Sequence, residues 1–232
     1  MKKIISLFML FVLCFVLVGC DDSGVIPYNY NSAEVRQKID ELGDNEGYLI
    51  EYTMIYNDDM RMIDDHDDYD DDFGPMIITI GYKNSITYFS MGFVEVYIDY
   101  SDYNKIVLYA GLQNDSTSTK EWKKQELSYS DYYSSDIYDS YLEIYDFLIP
   151  SRAFNEGDVI KKKLDVVALR TCDKLTIQDR NYGGLMDVYI DKELGICLKM
   201  VKNEQSKEGI YSESGMECTR FETNPVIILP NI

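Results

Sequence analysis

Five short stretches between residues 48 and 110 limit what this chain can become more than any other feature. YLIEYTMIY (48–56), MIITIGY (76–82), ITYFSM (86–91), FVEVYI (93–98) and KIVLYA (105–110) are dense in β-branched and aromatic residues. Such side chains suit a pleated, half-buried surface and lose rotamer freedom in a helix. The last four are separated only by KNS, Gly92 and DYSDYN. Links that short make hairpins, so the strands pair with their neighbours as an antiparallel meander. The final third repeats the pattern, with strands expected near 160–169, 174–179, 185–191, 196–202 and 209–222. Gly183-Gly184 and DKELG (191–195) supply turn signals between them.

Two helices interrupt the strands. Asn31 or Ser32 can cap the first, which carries Val35, Ile39 and Leu42 on one stripe and stops at Gly43. Ser135 or Asp136 can cap the second, over 137–149, where Tyr138, Tyr141, Leu142, Tyr145, Leu148 and Ile149 recur at helical spacing before Pro150. A tyrosine stripe can line a ligand, but core packing with hydroxyls at the rim is its commoner use. Residues 111–120, GLQNDSTSTK, read as a polar loop. About ten strands and two helices, with no repeat or internal linker, make a single mainly β (α+β) domain over 32–232.

Residues 1–20 stand apart. Lys2 and Lys3 precede an apolar run of 15 residues, 4 to 18, broken only by Ser6. A spanning helix needs about 20 residues, so the run reads as a secretory signal over 1–19. It ends in LVGC (17–20), which resembles the lipobox of bacterial lipoproteins. That resemblance implies cleavage between Gly19 and Cys20, acyl chains on the Cys20 thiol, and a lipidated tether over 20–31. It places the domain on the extracytoplasmic face of the cell membrane, with the membrane itself as a partner through the lipid anchor. Two or three acyl chains hold a protein there permanently, where one holds it marginally.

The chain has 22 basic and 41 acidic residues, a formal charge of −19, and loss of residues 1–20 removes two lysines and no acid, leaving −21. Such a surface repels phosphate backbones, which argues against nucleic acid as a ligand. The densest acids are DDHDDYDDDF (64–73), which includes His66, the only histidine. A calcium loop wants oxygen ligands at positions 1, 3, 5 and 12 with glycine at 6. Counting from Asp68 puts Phe73 at 6 and Thr79 at 12, and counting from Asp64 or Asp65 puts His66 at 3 or Tyr69 at 5. No register works, and the run reads as a solvated connection held open by like charges. His66 lacks the setting of a catalytic base, and no phosphate loop or zinc helix is present. No catalytic residue, metal ligand or cofactor is assigned. Trp122, beside Lys123 and Lys124, reads as a core or rim anchor rather than a sugar platform. Cys172, Cys197 and Cys218 remain once Cys14 and Cys20 are set aside. They read mostly as core residues, with one disulfide open to any pair.

The segment YGGLMDVYIDKELGICLKMVKNE (182–204) forms a strand ending in Asp191, a turn, and a strand resuming after Gly195. Asp191 can accept hydrogen bonds from turn amides and Gly195 permits the positive backbone angle. This hairpin is similar to one in the LolA/LolB-like lipoprotein-carrier superfamily, and the order of elements around it looks alike. The resemblance implies a strongly curved antiparallel sheet or unclosed barrel covered by two helices. It also implies a non-enzymatic function, binding or carrying an apolar ligand such as a lipid or acyl chain in the concavity. A second reading from the residues is a surface interaction module, meeting a protein or cell-wall partner through acidic and tyrosine-rich faces.

Overall fold

The computed structural model describes residues 24–55, 75–113, 119–181, 183–205 and 211–231. The fold is a single eleven-stranded antiparallel sheet that does not close. The first meander comprises β1 (Tyr48–Ile55), β2 (Ile77–Lys83), β3 (Ile86–Met91), β4 (Val94–Asp99), β5 (Ile106–Gln113) and β6 (Lys120–Leu127). The second comprises β7 (Gly157–Val167), β8 (Arg170–Asp179), β9 (Leu185–Asp191), β10 (Cys197–Gln205) and β11 (Tyr211–Thr223). Each strand pairs with its chain neighbour, and β1 pairs with β11 to join the two meanders. The two edges are therefore β6 and β7, consecutive in the chain yet at opposite ends of the sheet. Short helices link them: α2 (Tyr129–Tyr133), α3 (Asp136–Leu148) and α4 (Ser151–Glu156). The remaining described helix, α1 (Ser32–Asn45), precedes β1.

The mainly β expectation holds, with one strand more than the pattern predicts. The addition is β6, KEWKKQEL. Its residues alternate poorly because it is an edge strand facing water along most of its length, so its pairing rests on backbone hydrogen bonds to β5. The segment read as a loop from 111 is strand as far as Gln113.

The first helix also runs further than its glycine suggests. Gly43 lies inside α1, facing the Tyr82 ring, where a Cβ would stand 2.5 Å from Cδ1. The left-handed stop is Gly47, at φ +79°, and both Glu46 and Gly47 donate to the Leu42 carbonyl. Asn31 caps α1 by accepting from Glu34 N, and Ser135 caps α3 by accepting from Tyr138 N. Residues 24–31, read from the sequence as part of a tether, lie against the sheet. Ile26 N donates to Val159 O, and the rings of Tyr28 and Tyr30 stack on Phe154. Three large apolar groups had somewhere to bury, and that outweighs the freedom of a linker.

Most of the concave face is filled. Ile50 and Tyr52 from β1, Leu175 from β8, Leu198 from β10 and Met216 from β11 are fully buried with Ile39 of α1 and Leu148 of α3. The Tyr52 hydroxyl is satisfied inside this core by donating to the Cys197 carbonyl at 2.7 Å. A smaller cluster lies under α2, where Tyr132 packs on Ile98, Ile106 and Leu108.

Candidate functional site

Two features of the surface are not explained by packing alone. The first is the end of the concave face formed by β2 to β5. Directly opposed residues share a face of a sheet. Buried Ile78 opposes Met91, Met91 opposes Val94, and Val94 opposes Leu112. Met91, Val94 and Leu112 are 41%, 36% and 60% exposed. The adjoining row, Phe89, Val96 and Ala110, continues from buried Ile80. The inner face therefore passes from a closed core to an open apolar surface within three strands. On the opposite face, Tyr88, Tyr97 and Trp122 form a tilted aromatic row, with Lys120 5.8 Å above the tryptophan ring. Trp122 covers Gly111, where a Cβ would come within 2.8 Å of its ring. It is thus a packing anchor on the rim of the sheet.

The second feature is a cleft of about 270 Å³ between α1, β1, β2 and α3, lined by Ile39, Asp40, Asp44, Tyr48, Tyr82 and Tyr145. Asp40 and Asp44 are one helical turn apart, so they share a face of α1. Tyr48 and Tyr82 oppose each other in register, with ring centroids 6.4 Å apart. The Tyr82 hydroxyl donates to Asp44 Oδ1 at 3.2 Å, and Tyr145 lines the same cleft beside Asp40. Burial pushes the Asp40 carboxyl above its usual range, against the opposing pull of Arg36. Burial likewise raises the Tyr82 phenol, and Asp44 adds to the shift.

Asp191 and Gly195 sit at the β9–β10 turn. Asp191 Oδ1 accepts from the amides of Glu193 and Leu194 at 3.0 and 2.7 Å, and Gly195 adopts φ +80°. Arg170 grips the same carboxylate from both sides, Nε to Oδ2 at 2.7 Å and Nη2 to Oδ1 at 3.0 Å, and its guanidinium lies 4.5 Å from the Phe221 ring centroid. Asp191 accepts four internal hydrogen bonds and is only 2% exposed, so this turn is a latch rather than a ligand site. Cys172, Cys197 and Cys218 are buried free thiols. Burial raises them to about 11, 12 and 12, which leaves them protonated and unreactive. Among the described residues no group of three His, Cys, Asp or Glu side chains could hold a metal ion. Gly19, Cys20 and the acidic run with His66 lie outside the described residues.

No protein-family model matches the chain, and no curated protein matches it. Among solved structures it is similar to MucB in complex with MucA(peri), at 10% identity and TM-score 0.39, over 85% of this chain and 57% of that one. It is similar also to the Pseudomonas aeruginosa MucA/MucB complex, at 11% identity and TM-score 0.40 over 85% and 58%, and to MucB alone, at 11% and 0.40 over 88% and 62%. The chain spans about three fifths of the length of these structures. The expectation of a LolA-like lipoprotein, partnered with the membrane through a lipid anchor and holding an apolar ligand, is corrected here. Most of the concavity that would shelter an acyl chain is packed with side chains. No described helix is long and apolar enough to cross a membrane.

Proposed function

We propose that this chain is a non-enzymatic, extracytoplasmic protein-interaction module whose docking surface is the open apolar end of the concave face. The observation that carries this is the exposed row Met91–Val94–Leu112, backed by Phe89, Val96 and Ala110. A contiguous apolar patch beside a closed core costs solvation until something covers it. The exposed row is aliphatic and thioether, with Phe89 half-buried behind it, which suits the apolar face of a polypeptide better than a cell-wall glycan, whose rings want exposed aromatic platforms flanked by hydrogen-bonding groups. The basic and apolar leader at 2–18 supports a location outside the cytoplasm.

A photo-cross-linking residue placed at Leu112 in cells tests the assignment. One discrete polypeptide adduct is expected, lost when Val94→Asp is added and absent when the cross-linker is moved to Tyr109 on the opposite face. Equal labelling from Leu112 and Tyr109, or adducts unaffected by Val94→Asp, would overturn it.

A further inference from the structure

The cleft beneath α1 is at the other end of the strands from the apolar patch, since Tyr48 and Tyr82 stand where β1 begins and β2 ends. Its construction is layered. The floor is apolar and aromatic: Ile39, Tyr48 and Tyr145 are buried, and Tyr82 is half-buried. The rim is anionic, with Asp40 and Asp44 exposed above that floor. The Tyr82 hydroxyl donates to Asp44, and Tyr145 lies beside Asp40 in the lining. Among the described residues no ion pair reaches either aspartate.

A neutral ligand would leave the rim's negative charge uncompensated by any cation but the nearby Arg36, and an anion would be repelled by it and by the chain's −19 charge. A bare hydrated metal ion would make no use of three tyrosine rings. What uses both layers is a cation on a methylene stem, because the stem can lie on the aromatic floor while the charged head stays at the wet rim. The protein already does this once with its own chain: the Arg36 guanidinium sits 5.3 Å from the Tyr145 ring centroid at the edge of the same cleft. The volume, about 270 Å³, is below the range of drug-sized ligand pockets and fits one long side chain.

We infer that the Asp40–Asp44 cleft seats one basic aliphatic side chain, an alkylammonium or guanidinium on its stem, presented by a polypeptide. The polypeptide source rests on the function proposed above, but the cation chemistry does not. The cleft is then a second, specificity-giving contact, distant from the apolar patch and independent of it.

Nuclear magnetic resonance titration of the full chain with N-acetyl-lysine methylamide, n-butylammonium, cadaverine and n-butanol separates these points. Saturable shifts of the Tyr48 and Tyr82 ring signals are expected with the lysine amide and n-butylammonium at millimolar concentration. n-Butanol should give none. Asp40→Asn and Asp44→Asn should each weaken the response about tenfold, the size of one lost charge-assisted contact. Tyr82→Phe keeps the ring and should weaken it less than Tyr82→Leu. Because burial raises the Asp40 carboxyl, its folded form favours the proton more than its unfolded form does. Its charge therefore opposes folding near neutral pH, so Asp40→Asn should melt no lower than the native chain, and thermal melting of both Asn variants separates lost binding from misfolding. Equal shifts with n-butanol, or an unchanged response in both Asn variants, would overturn the cation site. Cadaverine binding more than tenfold tighter than the lysine amide would overturn the polypeptide source while leaving the cation chemistry standing. Failure of the Leu112 cross-link would touch only the function proposed above.

Discussion

At the scale of single residues, Asp191 shows how a buried charge is kept. Its side chain is 2% exposed, and two turn amides and the Arg170 fork hold it. The amide partners are two and three residues away, so the pattern Asp–x–x–x–Gly is enough to suggest them. The arginine is 21 residues earlier on β8, and only strand pairing brings it there. Arg170 in turn is held firmly protonated by its hydrogen bond to Asp191. Removing one partner leaves the other charged and poorly solvated, which costs about 3 kcal/mol in such pairs. Asp191→Asn should lower the unfolding free energy in urea by about that amount. A loss below about 0.5 kcal/mol, the level of an ordinary surface change, would mean that water replaces the carboxylate without difficulty. Nothing in the local sequence marks Asp40 and Asp44 in the same way. Their ring partners lie in β1, β2 and α3, and the i, i+4 spacing alone describes any polar helix face.

At the scale of elements, the two open edges share one device. β6 carries Lys120, Lys123 and Lys124, and β7 carries Lys161, Lys162 and Lys163. In so acidic a chain, gathering lysines on the two edge strands of the described sheet is a defence against edge-to-edge association. Lys162 also pairs with Asp173, and Lys120 with Glu95, whereas Lys161 and Lys163 are exposed. The double change Lys161→Val, Lys163→Val should leave the fold intact and produce concentration-dependent dimers or larger species by light scattering. A strictly monomeric variant at every concentration would show that other features block the β7 edge. The same feature explains why β6 is missed by hydrophobic patterning. A strand that must not attract another strand is written in charged residues, and reads as a loop.

At the scale of the whole molecule, one curved sheet is closed over most of its inner face and open at one end. Leu198 lies wholly inside the closed part, and truncating such a side chain costs about 2–5 kcal/mol. Val94 lies in the open part, and a substitution at an exposed site usually stays within about 0.5 kcal/mol. Leu198→Ala and Val94→Asp, compared by urea unfolding, should therefore differ several-fold. Equal losses would mean that Val94 is covered in solution and that the apolar end is part of the core.

Strand formation, the antiparallel meanders and the two principal helices follow from the sequence alone, because each depends on residues within a few positions of one another. Period-two alternation, capping by Asn31 and Ser135, and tight turns are local physics. The content of the concavity was decided only in three dimensions. Whether it is a cavity or a core depends on how far the sheet curls and on what Tyr52, Leu148, Leu198 and Met216 meet across it, and these come from four separate elements. The cleft beneath α1 is decided in the same way. Its carboxylates and rings are brought together by the pairing of β1 with β2 and the docking of two helices, and no stretch of the chain contains both sides of it.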